Sequence, residues 1–363
     1  MQRLSTAALN RATLARQLLL ERHAMPIAAA VDRLAGLQAQ QARPPFVGLH
    51  VRLDGFARAD LLDALARGEL VRATSMRATL HLLAADRYRE LRPALQPALD
   101  KGVAMMRKRT VGVDLDAALA LAREHFEQPA SFESLRERLL AAFPGCDERA
   151  IAYVIRCSLP LVQVPSRDER WGFAAASELV LAERWLAAPL AADDELVVLV
   201  RHYLAAFGPA SIADAQTWSG MPGLRSTFAL LRDELLVVHD AQGRELFDLP
   251  DAPRPEPDVP APIRLLPEFD NLVLAHDDRS RIVDDAHRGV LVTKNLQVLA
   301  SVLIEGRVAG TWTLARKKST ATLQVALFAS PSRAQRDELV AEAERVIGFV
   351  EPDAGREVVI TLR

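Results

Sequence analysis

The chain has 363 residues, half of them apolar and a quarter charged, a globular composition with core material for two or three domains. No segment reaches about 18 consecutive apolar residues, and the opening MQRLSTAALNRATLARQ lacks an apolar signal core, so neither membrane spanning nor secretion is expected. The net charge of −2 hides an asymmetry: residues 1–110 carry 18 basic and 9 acidic side chains, and the remainder 27 and 38. A basic N-terminal third points to an anionic partner, although a solvated basic surface gives the same count. The basic set is 40 Arg to 5 Lys. Cys146 and Cys157, without ligand spacing, read as reduced thiols of a cytoplasmic protein.

In chain order, three stretches repeat one plan: helices, then a short β-hairpin. In the first, residues 11–21, 26–37 and 59–67 read as helices, with Pro26 in a first turn and Gly68 as a stop. ELVRAT (69–74) and ATLHLL (78–83) are β-prone runs joined by SMR. In the second, 114–125, 132–142 and 147–157 are helical, Ser131 being an N-cap, and LVQVP, SRDER and WGFAA read as strand, turn and strand. In the third, a helix over 194–207 precedes GPASIADAQTWSG, where Ser211 caps a short helix that ends at Gly220. A helix near 223–232 and a hairpin turning at Gly243 follow.

Three helices and a two-stranded wing make a winged helix-turn-helix, whose short crossing helix can enter a DNA groove. The expected fold is therefore mainly α with small β wings (α+β): three tandem winged-helix units at 1–105, 106–190 and 191–250. PDAPRPEPDVPAP (250–262) reads as a Pro-rich acidic linker or long loop. Beyond it, 263–363 is an α+β region, with strands at 263–269, 298–306, 307–316 and 322–329, a turn at Glu305-Gly306, a helix over 332–349 and a last strand at 357–362.

The common catalytic signatures are missing. The eight histidines show neither HExxH nor paired-ligand spacing, so no metal is expected, and there is no GxSxG, P-loop or GxGxxG. Two local patterns stand out instead. LAGLQAQQARPPF (34–46) places Gln38, Gln40 and Gln41 where a helix would end in Lys or Arg. RATLH (77–81), read as a strand, puts Arg77, Thr79 and His81 on one face and Leu80 and Leu82 on the other, with Arg72 on the partner strand. A half-buried sheet with a polar outer face has the same pattern.

LxxLQAQQARPPF followed by RATSMRATLHLLAADRY resembles the winged-helix DNA glycosylases typified by AlkZ and YcaQ. The likeness continues through FGPASIADAQTWSG and RLLPEFDNLVLAHDDRSRIV to GRVAGTW, nearly the whole chain. The family's catalytic signature is a glutamine, an apolar residue and a second glutamine (AlkZ type) or an aspartate (YcaQ type). Here it is Gln38-Ala39-Gln40, the AlkZ type, with the smallest apolar residue in the middle. The resemblance implies three tandem winged-helix units lining a concave DNA channel. It also implies a polar and basic DNA-facing region that matches Asp270, Arg279 and Arg281. Arg43, just past the motif, is a candidate phosphate ligand, as are the clusters 107–109 and 316–318.

The chemistry accounts for neutral amides. Hydrolysis of an N-glycosidic bond passes through an oxocarbenium-like sugar and ordinarily needs an acid for the leaving group and a carboxylate for the sugar. A purine alkylated at N7 or N3 is already cationic and leaves without protonation. An amide carbonyl is then sufficient to hold water and direct a dipole at the sugar. On a helix, residues 38 and 40 diverge by about 200°. The motif therefore requires the chain to leave the helix near Leu37 or Gln38, which Gly36 and Pro44-Pro45 allow.

Two functions are weighed. The first is a monofunctional glycosylase for cationic alkylpurines, bulky or cross-linked ones included, acting on double-stranded DNA as a cofactor-free cytoplasmic monomer. Lys101 is the lysine nearest the motif in sequence, which disfavours Schiff-base chemistry. The second is a non-enzymatic winged-helix regulator; its recognition helix, ASIADAQTWSG, offers only Gln216 for reading bases.

Overall fold

The computed structural model describes residues 2–192, 196–293 and 297–363. Helix α1 (Thr6–Arg16) starts earlier than the expected 11–21, because the Ser5 hydroxyl accepts from Ala8 N at 3.1 Å and caps it. Helix α2 (Ile27–Arg33) stops short of the expected Leu37. Ala35 and Gly36, at φ 55° and 81°, turn the chain out of it. A Cβ on Gly36 would lie 2.6 Å from Leu83 Cδ2 and 3.1 Å from Leu82 O, so only glycine fits. Strand β1 (Leu37–Gln38) follows at once.

Helix α3 (Arg43–His50) is absent from the sequence reading. Pro44 and Pro45 occupy its first turn, where no N–H is needed, and so begin a helix rather than break one. After α4 (Arg58–Ala66) come β2 (Leu70–Thr74) and β3 (Leu80–Ala84). Met76–Ala78 between them is a 3-10 turn with Arg77 and Ala78 at φ 54° and 55°. The strand expected from Arg77 onward therefore begins only at Leu80. Helices α5 (Ala85–Ala94) and α6 (Gln96–Met106) are further additions to the expected plan.

Helices α7 (Leu115–His125), α8 (Phe132–Ala142) and α9 (Glu148–Ser158) follow the expected pattern, capped by Asp114, Ser131 and Asp147. Strand β4 (Leu161–Gln163) pairs with β5 (Leu179–Leu181), not with the expected 171–175. After α10 (Ala182–Trp185) comes α11 (Leu196–Phe207); the expected start at Asp194 lies outside the described residues. Helix α12 (Ile212–Ser219) opens on a Ser211–Asp214 capping box and ends at Gly220, φ 79°. Helix α13 (Arg225–Leu230) leads to the β6 (Leu236–His239) and β7 (Glu245–Asp248) hairpin. Residues 250–262 hold no helix or strand, yet they are strapped to α1: Arg16 Nη2 donates to Pro253 O at 3.2 Å and Arg11 Nε to Val259 O at 2.6 Å. The last region contains β8 (Arg264–Leu266), α14 (Arg288–Leu291), β9 (Ser301–Ile304), β10 (Arg307–Lys317), β11 (Thr320–Leu327), α15 (Arg333–Val350) and β12 (Gly355–Leu362).

The architecture is mixed α/β. One five-stranded sheet has the order β1-β3-β2-β4-β5, so the first two expected wings are joined, through the Ala73–Val162 pair, into a single sheet. The C-terminal sheet runs β12-β11-β10-β9-β8, with only β11–β12 parallel, and β6–β7 stands alone. The first sheet is covered on both faces. Leu37, Ala39, Leu70 and Leu82 pack with Val31, Phe46 and Leu61 on one side. Val71, Ala73 and Leu83 pack with Tyr203, Phe207 and Trp218 on the other.

A buried, bidentate ion pair crosses from the first region to the last. Arg52 Nη1 and Nη2 each lie 2.9 Å from an Asp270 oxygen, the two side chains being 0 % and 1 % exposed. Arg52 also donates to the Gln17 and Gly48 carbonyls, both at 3.0 Å. Removing one partner strands the other charge in the core. Asp270→Ala should therefore lower stability in urea unfolding by about 3–5 kcal/mol; a loss below about 1 kcal/mol would show that the pair is dispensable.

Candidate active site

The turn at Gly36 resolves the geometry of the glutamine motif. Gln38 lies in β1, on the face opposite Leu37, and Gln40 sits in a bend two residues further on. Ala39 is fully buried among Leu37, Phe46 and Leu82, Gln38 is 9 % exposed and Gln40 is exposed.

The end of β1 is held by an exchange of hydrogen-bond partners. Ala39 N donates to Leu80 O at 2.7 Å, while Leu80 N donates to the Gln40 side-chain Oε1 at 3.2 Å. The Ala39 carbonyl accepts from Arg72 Nε at 2.9 Å, and the Gln40 backbone carbonyl from Arg72 Nη2 at 3.3 Å. Arg72 Nη1 reaches Gln163 Oε1 on β4 at 2.6 Å. The guanidinium lies 4.9 Å from the Phe173 ring centroid, and burial lowers its pKa to about 10. Gln40 also borders a cleft of about 220 Å³, shared with Tyr153, Arg156, Cys157 and Gln163.

Gln38 meets different neighbours. Arg77 Nη2 donates to its Oε1 at 3.0 Å, and Arg77 Nη1 to the Trp218 carbonyl in the last turn of α12. His81 stands directly opposite Gln38 in the ladder and is fully buried. The outward-facing polar row expected of RATLH is thus corrected. His81 lies inside the fold, the Thr79 hydroxyl closes the turn onto Met76 O at 3.1 Å, and Arg77 reaches the motif from a turn rather than a strand. Burial, with Arg77 nearby, lowers the His81 pKa to about 3.

Of the remaining candidates, Arg43 pairs with Glu268 Oε1 at 2.6 Å. Asp270 and Arg281 face inward, contrary to the expected presentation to DNA. Asp270 is neutralised by Arg52, and Arg281, 3 % exposed, donates to Pro209 O at 2.8 Å and Thr13 Oγ1 at 3.4 Å. Arg279 stays partly exposed, with its Nε 3.4 Å from His276 O.

Sequence reasoning passes over Arg52, Gln163, Trp218, Glu268 and Asn271. Asn271 Nδ2 donates to the Gly36 carbonyl at 2.9 Å and so fixes the turn that leads into the motif. Glu268 and Asn271 flank Asp270 in PEFDN, a local signal that was available; Gln163 and Trp218 had none. Lys101, distant in sequence, donates to Gly220 O at 3.1 Å beside the Arg77 turn. Among the described residues no group of three His, Cys, Asp or Glu side chains is placed to hold a metal, and no helix is long and apolar enough to cross a membrane.

A family model described as DNA glycosylase AlkZ-like matches residues 31–349. The interstrand DNA cross-link repair glycosylase of Streptomyces sahachiroi is 26% identical over 321 residues, covering 80% of this chain and 83% of that protein. The solved structure of Streptomyces sahachiroi DNA glycosylase AlkZ superposes with a TM-score of 0.81 at 20% identity, covering 99% of this chain and 100% of that one.

The buried histidines make stability depend on pH. Burial lowers His50 to about 4 and His81 to about 3, with nearby arginines adding to both, from an ordinary value of 6.5. The unfolded chain therefore binds more protons below pH 6.5. Stability is full above that value and declines as pH falls, by about 1.4 kcal/mol per histidine at pH 5.5. Thermal melts should show a lower Tm at pH 5.5 than at pH 7.5; equal values would mean that these imidazoles are protonated in the fold.

Proposed function

The chain belongs to the AlkZ-like family of DNA glycosylases, and we propose on that premise that it hydrolyses the N-glycosidic bond of cationic alkylpurines in double-stranded DNA. N7-alkylguanine and N3-alkyladenine are the proposed lesions, bulky adducts and interstrand cross-links among them. The observation that carries the reading is the exit of the chain from α2 at Gly36, which sets Gln38 in β1 against Arg77 and Gln40 just past it against Leu80, with Ala39 anchored between them in the core.

In the proposed reaction the C1′–N bond breaks first, and its electron pair neutralises the cationic base, which leaves without needing a proton. Amide carbonyls from Gln38 and Gln40 face the electron-poor sugar and hold a water by accepting its hydrogen bonds. The water oxygen bonds to C1′ and its proton passes to solvent. An uncharged amide is too weak to expel an intact purine, which confines the reaction to charged lesions.

The same reading assigns three winged-helix units, 1–105, 106–190 and 191–250, and a C-terminal 263–363 region to a concave DNA channel. Arg43, Arg279 and the clusters at 107–109 and 316–318 would contact phosphates. Arg72, Thr79, His81, Asp270 and Arg281 would act as support. The enzyme would be a cytoplasmic monomer, monofunctional and free of metal and cofactor. A regulator that reads bases through α12 is less well supported, because Gln216 already spends its Oε1 on Leu224 N at 3.1 Å.

The test is single-turnover release of free base from duplex DNA containing 7-methylguanine. The wild type should release it, and Gln38→Ala and Gln40→Ala should each slow release by about 10²-fold. Borohydride should trap no enzyme–DNA adduct, with Lys101→Ala as the control for the lysine beside the Arg77 turn. DNA binding by the wild type with no base released from this lesion or a bulkier N7 adduct would overturn the assignment.

A further inference from the structure

Arg77 is a cation without an anionic partner among the described residues. Among the described residues its guanidinium donates to two neutral oxygens, the Trp218 carbonyl and Gln38 Oε1, and the charged side chain acting most strongly on it is Arg279, of like sign. Burial and Arg279 together lower its pKa to about 10. Desolvated cations are ordinarily matched by an anion. Arg77 and Arg279 both remain partly exposed as whole residues. The backbone strain lies in the same place, at φ 54° and 55° for Arg77 and Ala78, two non-glycine residues in the left-handed region.

A second observation lies on the other side of Gln38. His81 Nδ1 is 3.0 Å from the Thr79 carbonyl, which puts the ring proton on Nδ1 and leaves Nε2 as a bare acceptor. That Nε2 is buried and has no hydrogen-bond partner among the described residues. Because Ala39 N bonds to Leu80 O, the adjacent Gln38–His81 pair is of the close, non-hydrogen-bonded kind, with Cα atoms about 4.5 Å apart and side chains adjacent.

The Gln38 amide therefore has its carbonyl taken by a cation and an empty acceptor within reach of its N–H₂. That arrangement is poorly suited to catalysis, since a guanidinium on the carbonyl weakens it as an acceptor and places positive charge beside a sugar that is becoming positive. We propose that a DNA backbone phosphate draws Arg77 off Gln38, that the freed amide donates to His81 Nε2, and that its carbonyl then faces the sugar. Arg77 is thus a phosphate-operated latch, Arg279 helps to hold the phosphate, and His81 is a positioning residue. The inference rests on the reading of Gln38 as a catalytic amide.

The experiment combines a methylphosphonate scan of the phosphates flanking a 7-methylguanine with single-turnover base release at saturating enzyme. In the wild type, neutralising one particular phosphate should slow release at least tenfold. In Arg77→Met, which should also bind DNA more weakly with a shallower salt dependence, the same substitution should cause no further loss. Equal effects of the methylphosphonate in both proteins, or no sensitive position in the wild type, would overturn the latch. For His81, Gln keeps an acceptor near the Nε2 position whereas Phe keeps only the ring. His81→Phe should lower the saturating rate about tenfold at unchanged Kd, and His81→Gln should restore most of it; equal rates in the two folded variants would remove His81 from the proposal. Failure of the underlying assignment looks different, because the wild type would then release no base, or Gln38→Ala would match it.

Discussion

The site depends on a stretch of chain more than two hundred residues away. Asp270 enters the core as a carboxylate and is acceptable there only because Arg52 meets it with two parallel hydrogen bonds. That pairing fixes the segment 267–271 against the end of α3, and its neighbours then act at short range. Asn271 holds the Gly36 carbonyl and Glu268 holds Arg43. The exit from α2, the direction of β1 and the start of α3 are all set from behind by this one segment. A hydrophobic pair of the same volume would fill the space equally well. The charged pair adds a specific orientation, because two planar groups allow only one bidentate geometry.

From that anchor the motif takes its shape. A two-residue strand has little stability of its own, and β1 exists because β3 is present beside it and Arg72 satisfies the carbonyls at its end. Each region of the chain contributes a support: Arg72 from β2, Gln163 from β4, the Trp218 carbonyl from α12 and Asn271 from the C-terminal region. The candidate chemistry thus sits at a junction rather than within one module, and the joining of two expected wings into one sheet is what brings β4 to it.

The neutrality of the motif follows from the same surroundings. Arg72 and Arg77 approach it from opposite sides. A carboxylate at position 38 would close onto the Arg77 guanidinium as an ion pair. An amide keeps no net charge and offers two acceptor lone pairs and two N–H donors. With neutral side chains at both positions, Arg72 and Arg77 bond to uncharged oxygens.

What the sequence by itself determined was local. Ser131, Ser211 and Ser332 cap helices where short polar side chains precede apolar periodicity, and Gly220 and Gly243 mark a helix end and a hairpin turn, since each is decided by a few neighbouring residues. The candidacy of Gln38 and Gln40 came from residue type and family likeness, and the need for the chain to leave its helix there was legible in the sequence. Only the tertiary structure decided where it leaves and what the departure achieves. Leu83 excludes a side chain at position 36, β3 supplies the ladder, and Asn271 holds the turn. The burial of His81, Asp270 and Arg281 was equally hidden, because a polar side chain looks the same in a sequence whether its partner is water or a residue hundreds of positions away. Desolvation and pairing are properties of the assembled core, and no local pattern encodes them.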